Sequence, residues 1–240
     1  MSITRVPLRR VGHKGADLIA PGNTAGSFDA ALGAGVDMIE FDVLPERHDD
    51  PGSALFLAHD YRDLAGRERF SLEEGLAHLR AEMFSGVELD VDLKLPGYEL
   101  RVVEALRRHG LLERTLISSM FTESLARIRA AAPQVRLGWS VPRVRRDPFS
   151  RPWLVPFGLF GMYAYRLGLP HLARRALGAG RCDALMVQWR LVTRRLVHTV
   201  KRHGGELYVW TVDERERIAR LERLGVTGVI TNDPRLFDPV

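Results

Sequence analysis

Cysteine is almost missing from the chain: Cys182 stands alone in 240 residues. A single cysteine excludes a disulfide framework, a thiolate metal cluster and a Cys-x-x-Cys redox pair. Lysine is nearly as scarce. Of the 35 basic residues only Lys14, Lys94 and Lys201 are lysines, and the rest are arginines. No apolar run is long and clean enough to span a bilayer. Met1 to His13 lacks the apolar stretch of a signal peptide. Both features point to a cytoplasmic address. No strand is followed by a glycine-rich dinucleotide or P-loop fingerprint.

The net charge of +5 would suit a polyanion partner. The arginines, however, are spread over most of the expected helices, so no nucleic-acid partner is expected. With 45% hydrophobic and 27% charged residues the chain has the makings of a soluble protein with a full core. Its length fits one α/β barrel or two small domains.

The most informative stretch is Val36 to Val43. Side chains alternate faces along a strand, so Glu40 and Asp42 share one face while Ile39, Phe41 and Val43 share the other. Two buried carboxylates this close repel each other and lose hydration, so a cation between them is required. Hard divalent ions take oxygen ligands of this kind. A second strand, Gly86 to Lys94, alternates without a slip: Val87, Leu89, Val91 and Leu93 against Glu88, Asp90, Asp92 and Lys94.

Strand and helix patterns alternate to the end of the chain. Thr24, Ser71 (with Glu74), Thr122 and Asp213 read as helix caps. The strands are Val6–Val11, Thr115–Ser119, Val135–Ser140, Asp183–Val187, Glu206–Trp210 and Val226–Thr231, besides the two above. Residues 142–180 are less regular. Eight strand-then-helix units favour a closed (β/α)₈ TIM barrel, read as one domain over residues 1–240. It carries a short excursion after strand two and an aromatic, arginine-rich segment between strands five and six.

Barrel active sites sit at the C-terminal strand ends. That rule collects His13, Lys14, Glu40, Asp42, Asp92, Lys94, Ser118, Ser119, Trp210, Thr211, Thr231 and Asn232, with His59 folding back from the excursion. Glu40, Asp42 and Asp92 can hold one face of a divalent ion. Lys14 and Lys94 add charge suited to an anionic, phosphoryl-bearing substrate. His13 and His59 are the proton-exchanging side chains. The residue chemistry therefore points to metal-assisted phosphoester cleavage with a histidine pair. Ser118 and Ser119 are expected only to satisfy backbone, and Trp210 serves equally as barrel core or substrate wall.

These residues resemble the glycerophosphodiester phosphodiesterase family of (β/α)₈ barrels. The matching pieces are His13-Lys14-Gly15, Pro21-Gly22-Asn23-Thr24, Gly35 to Val43 and His59-Asp60, followed by Asp90 to Lys94, Trp210-Thr211-Val212 and Leu224 to Pro234. They run in order over nearly the whole chain. The resemblance implies hydrolysis of a glycerophosphodiester to glycerol phosphate and an alcohol. It matches Glu40, Asp42 and Asp92 with metal ligands (Mg or Ca), His13 and His59 with the acid/base pair, and Lys94 with a phosphate contact. The chain departs from the pattern at three places: Lys14 for the usual arginine, Gly22 for glutamate and Asp92 for glutamate. Neighbouring readings are a lysophospholipase D or phosphoinositide-type phosphodiesterase acting on membrane lipids, and a catalytically weak barrel that binds lipid or phosphate. Aromatics flanked by arginines in residues 153–165 make a peripheral membrane contact an alternative to the plain cytoplasmic address.

Overall fold

A computed structural model describes residues 7–143 and 155–238. The chain alternates β1 (Arg9–Gly12), α1 (Ala25–Gly33), β2 (Met38–Arg47), β3 (Asp50–Leu57), α2 (Tyr61–Ala65), α3 (Leu72–Leu79), β4 (Glu88–Leu93) and α4 (Glu99–Arg108). It continues through β5 (Thr115–Ser119), α5 (Thr122–Ala131), β6 (Arg136–Val141), α6 (Val155–Gly178), β7 (Ala184–Gln188), α7 (Arg194–Arg202), β8 (Glu206–Trp210), α8 (Arg215–Leu224) and β9 (Gly228–Thr231). Among the described residues, eight parallel strands close into a (β/α)₈ barrel, because β1 pairs with β9 on one side and β2 on the other. The ninth strand, β3, runs antiparallel on the extension of β2.

That hairpin is the excursion expected after strand two. Pro45 to Ser53 reads as a polar loop, yet β2 continues to Arg47 and β3 starts at Asp50, with a register shift between Pro45 and Arg47. A bulge of this kind accommodates Pro45 on an edge pairing, where its missing N–H costs little. The irregular stretch 142–180 also proves more ordered than its pattern: Val155–Gly178 is one helix of 24 residues containing Pro170. Its glycines and proline mask the periodicity, but Leu169, Ala173 and Leu177 form a buried stripe at four-residue spacing.

Capping follows the sequence at two sites and departs at two. Thr24 and Ser71 both close capping boxes. Thr122 lies inside α5 rather than before it, and Asp213 caps nothing, since α8 begins after Glu214 without a side-chain cap.

The barrel interior is layered, as alternation requires. At the N-terminal end Arg136 bridges Glu88 (2.8 Å) and Glu206 (2.6 Å), and Arg9 also pairs with Glu88. Above this charged plug lies an apolar layer containing Val11, Met38, Leu116, Met186, Tyr208 and Ile230. The opposite strand faces, including Ile39, Phe41, Leu89 and Val91, pack under the helices in the main core. Beyond the apolar layer the interior carries the titratable groups Glu40, Asp90, Asp92 and Lys94, which line a cavity at the C-terminal mouth together with Met120 and Trp210.

Candidate active site

Strand register brings the carboxylates together. Residues Glu40 and Asp90 are direct partners across β2 and β4, Asp42 and Asp92 are the next inward pair, and Asp92 in turn faces Ser118 on β5. Ligand oxygens of Glu40, Asp42 and Asp92 lie within 4.8 Å of one another. Lys94 reaches back into this cluster, its Nζ lying 2.5 Å from Asp42 Oδ1 and 2.5 Å from Asp92 Oδ2.

The donor set fits a hard divalent ion. All three groups are buried carboxylates, and Asp42 Oδ1 has no hydrogen bond of acceptable geometry although it is fully buried. Asp42 Oδ2 accepts from Asn23 Nδ2 at 2.9 Å, and Asn23 Oδ1 accepts from the Asp42 backbone N–H at 3.0 Å. Asn23 is fully buried at φ +58°. Asparagine is the side chain that best tolerates this left-handed conformation, so a local backbone rule underlies the orientation of Asp42.

Electrostatics divide the carboxylates. Burial raises the Glu40 carboxyl well above the usual range, and the charge of Asp42 adds to it. Burial opposes ionisation of Asp42 too, but the Lys94 ammonium, with His59 and His13, holds its carboxyl below the usual range. Burial works against the Lys94 charge, and Asp42, Asp92 and Glu40 overcome it, raising the ammonium well above its ordinary value.

Asp90, one layer deeper, is pushed up to about 8 by burial, with Asp92 and Asp42 adding to the effect. An unfolded aspartate ionises near 3.9. Between those values the folded state holds a proton that the unfolded chain has lost, so this group lowers stability progressively as pH rises. Asp90→Asn removes the effect. The metal-free variant is expected to melt about 5 °C above the wild type at pH 8, with a smaller gap at pH 5. An equal gap at both pH values would contradict this account.

His13 follows β1, and its backbone N–H bonds Thr231 O at 2.8 Å. Its Nδ1 lies 2.6 Å from Asn232 Oδ1 and its Nε2 lies 3.9 Å from Glu40 Oε2. Burial lowers its pKa below the ordinary 6.5, and Asp42 only partly opposes this. His59 arrives through the hairpin. Leu57 pairs with Val43, so the chain returns beside Asp42 and places His59 two residues later at the mouth. His59 is half exposed, with Nδ1 3.7 Å from Asp60 Oδ2. His13, His59, Glu40, Asp92, Lys94 and Trp210 all line one cavity of about 140 Å³. Trp210 also packs on the interior apolar layer, so it serves as core and wall together. A larger cavity of about 600 Å³ lies outside the barrel between α5 and α6 and gathers no comparable set of titratable groups.

Lys14 presents its backbone and its side chain to different carboxylates. Its backbone N–H donates to Glu40 Oε2 at 2.8 Å, while its Nζ turns to Asp17 at 3.2 Å. Asp17 also accepts from the Gly22 N–H at 2.9 Å. A Cβ on Gly22 would meet Asp17 Oδ1 at 2.5 Å. Asp17 therefore occupies the space that a side chain at position 22 would need. Gly15 is required for a related reason: it sits at φ +85°, and a Cβ there would lie 2.6 Å from Ser27.

Sequence reasoning under-read several contributors. Ser119 satisfies backbone as expected, donating to Leu93 O at 2.9 Å. Ser118 instead lines the cavity, its Oγ 3.5 Å from Asp92 Oδ1. Asn23, Asp213 and Asn232 hold the groups that face the cavity. Their sequence signals give place but not partner: Asn23 and Asn232 fall in the motifs of the resemblance, and Asp213 stands just before a helix.

A carboxylate triad, two histidines and a buried ammonium meet in the mouth of a (β/α)₈ barrel, an arrangement whose chemistry suits a phosphoric diester hydrolase. The model of the "Glycerophosphoryl diester phosphodiesterase family" matches residues 89–236, and the chain belongs to that family. A glycerophosphodiester phosphodiesterase of Caldanaerobacter subterraneus subsp. tengcongensis is 24% identical over 254 residues, covering 93% of each chain. Glycerophosphodiester phosphodiesterase GDPD4 of Arabidopsis thaliana is 28% identical over 242 residues, covering 94% of this chain and 70% of the relative. The same fold occurs in an Oleispira antarctica phosphodiesterase solved with the product sn-glycerol-3-phosphate. That structure has a TM-score of 0.69 and 18% identity, covering 96% of this chain and 94% of that one.

Proposed function

We propose that this protein hydrolyses a glycerophosphodiester to a glycerol phosphate and a free alcohol, with a divalent ion held by Glu40, Asp42 and Asp92 and with His13 and His59 as base and acid. The observation that carries this reading is the convergence of three carboxylates within 4.8 Å and both histidines on one cavity. When bound, a magnesium or calcium ion supplies positive charge to the phosphoryl oxygens. His13, held neutral by burial, accepts the proton of the attacking hydroxyl through Nε2. The attacking oxygen forms a bond to phosphorus as the bond to the leaving oxygen breaks: water gives glycerol phosphate directly, whereas the substrate's own glycerol hydroxyl gives a cyclic phosphate that a water molecule then opens to glycerol phosphate. His59, at the open side of the cavity, protonates that leaving oxygen. With a divalent ion held by the carboxylates, the Lys94 ammonium, which lies between Asp42 and Asp92, would be available to the phosphate. Lys14 acts mainly through its N–H on Glu40.

A lipid-tailed substrate is the second reading, favoured by one observation. Leu18 and Ile19, on the loop after β1, are 62% and 39% exposed, and Leu18 is bonded to Asn232 at the mouth. The membrane contact expected at residues 153–165 falls partly outside the described residues. Of its remainder, Tyr163 is exposed while Tyr165 packs against the core. No described helix is long and apolar enough to cross a membrane. The reading keeps the cytoplasmic address expected from the sequence.

Purified protein with magnesium or calcium is expected to release glycerol 3-phosphate from glycerophosphocholine. Turnover of lysophosphatidylcholine alone would establish the lipid reading instead. Inertness toward both, with phosphate compounds still binding, would leave a binding barrel.

A further inference from the structure

We infer that Asp213 and Asn232 form a positioning chain that fixes the tautomer of His13, so that the Nε2 lone pair always faces the cavity. The inference rests on hydrogen-bond accounting. A carboxylate accepts and never donates. Asp213 Oδ2 accepts from Asn232 Nδ2 at 2.7 Å, and Oδ1 accepts from the Asn232 backbone N–H at 2.8 Å and from Thr231 Oγ1 at 3.0 Å. The Asn232 amide cannot flip without placing its oxygen against Asp213, so Oδ1 is the atom turned to His13. An amide oxygen also only accepts. The 2.6 Å contact with His13 Nδ1 therefore requires the proton on Nδ1, which leaves Nε2 bare in the neutral ring.

The backbone locks the same arrangement. The His13 N–H bonds Thr231 O at 2.8 Å and the Leu18 N–H bonds Asn232 O at 3.0 Å, so β1 and the end of β9 are held in register on both sides of the imidazole. Asp213 is an aspartate before a helix that forgoes capping it. It spends its oxygens on β9 instead. Neither residue touches the reacting atoms; both act through His13.

The inference uses the reading of His13 as a base, but its test does not need activity. Asp213→Asn is the isosteric change. Its amide can donate to Asn232 Oδ1, which lets Asn232 turn Nδ2 toward the ring and move the proton to Nε2. Two-dimensional ¹⁵N–¹H correlation spectra of metal-free, ¹⁵N-histidine protein, assigned by difference with His13→Gln, report the tautomer directly. The wild type is expected to show the Nδ1–H form, with Asp213→Asn and Asn232→Ala showing the Nε2–H form or a mixture. In the loaded enzyme kcat should fall roughly 10- to 100-fold in both variants with KM little changed, less than the ~10⁴-fold cost of replacing a carboxylate that is bonded directly to a catalytic histidine. Asp213→Glu, which keeps an acceptor-only group, should recover the Nδ1–H signal at least in part. An Nε2–H signal in the wild type, or an unchanged Nδ1–H signal in both Asp213→Asn and Asn232→Ala, would overturn the chain. If the tautomer shifts but His13→Ala retains full activity, the positioning stands and the catalytic reading of His13 fails.

Discussion

His13→Ala is expected to lower kcat for glycerophosphodiester hydrolysis by roughly 10²- to 10⁴-fold, the usual worth of a positioned general base. His59→Ala should lose a similar factor for a different reason. The two are separable by the leaving group. An alkoxide from glycerophosphocholine needs a proton as it departs, whereas a nitrophenolate does not. A nitrophenyl phosphodiester should therefore restore much of the rate of His59→Ala and little of that of His13→Ala.

The pH profile follows from burial. Desolvation lowers the His13 pKa below its ordinary 6.5, against the partial opposition of Asp42. A base works only when deprotonated, so the acidic limb of the rate should rise as pH rises through that lowered value, and a nitrophenyl diester, whose leaving group needs no proton from His59, isolates that limb. An acidic limb above 6.5, or full activity in both alanine variants, would refute the assignment.

The second large effect belongs to the carboxylate cluster. Chelation of divalent ions should abolish turnover, and Asp42→Asn should do the same while the protein stays folded. Lys94 adds a stability readout. Its ammonium lies between Asp42 and Asp92, whose side chains are 0% and 12% exposed. Lys94→Met leaves these buried charges without their partner, and breaking a buried pair costs about 3–5 kcal/mol. Partial solvent access at Asp92 and Lys94 places the expected loss at the lower end.

A divalent ion should repair that loss. Ligand at a hundredfold excess over Kd contributes about 2.7 kcal/mol, or roughly 5–10 °C in Tm for a chain of this size. The rise should be larger in Lys94→Met than in the wild type, because in the wild type the ion must first displace an ammonium. Calorimetry with and without magnesium or calcium measures both. Absence of any shift in either protein, together with activity that survives chelation, would remove the metal from the mechanism.

Much of the site was legible because strand alternation is a strictly local rule. Glu40 and Asp42 share a face whatever the rest of the chain does, and so do Asp90, Asp92 and Lys94. Eight repeats then imply closure, and closure turns those faces inward. His59 was legible only in outline, since a hairpin partner strand depends on pairing that no local pattern reports. Lys14 shows the limit most clearly. Its side chain follows Asp17, three residues away, and a glycine at 22 that leaves room for that carboxylate. The long helix α6 was hidden because its glycines and Pro170 weaken the periodicity, and only packing of Leu169, Ala173 and Leu177 sustains it.

By itself the sequence determined the barrel, the mouth, the family and the residue types of the site, because periodicity and residue chemistry are properties of neighbours along the chain. Tertiary structure decided the partners. Register set Asp42 beside Asp92 and brought Lys94 between them. Closure of β1 against β9 carried Asn232, with Asp213 behind it, to the imidazole of His13. Hydrogen bonds and charge pairs act over a few ångströms in space, and the 219-residue separation of His13 from Asn232 collapses to that range only when the barrel closes.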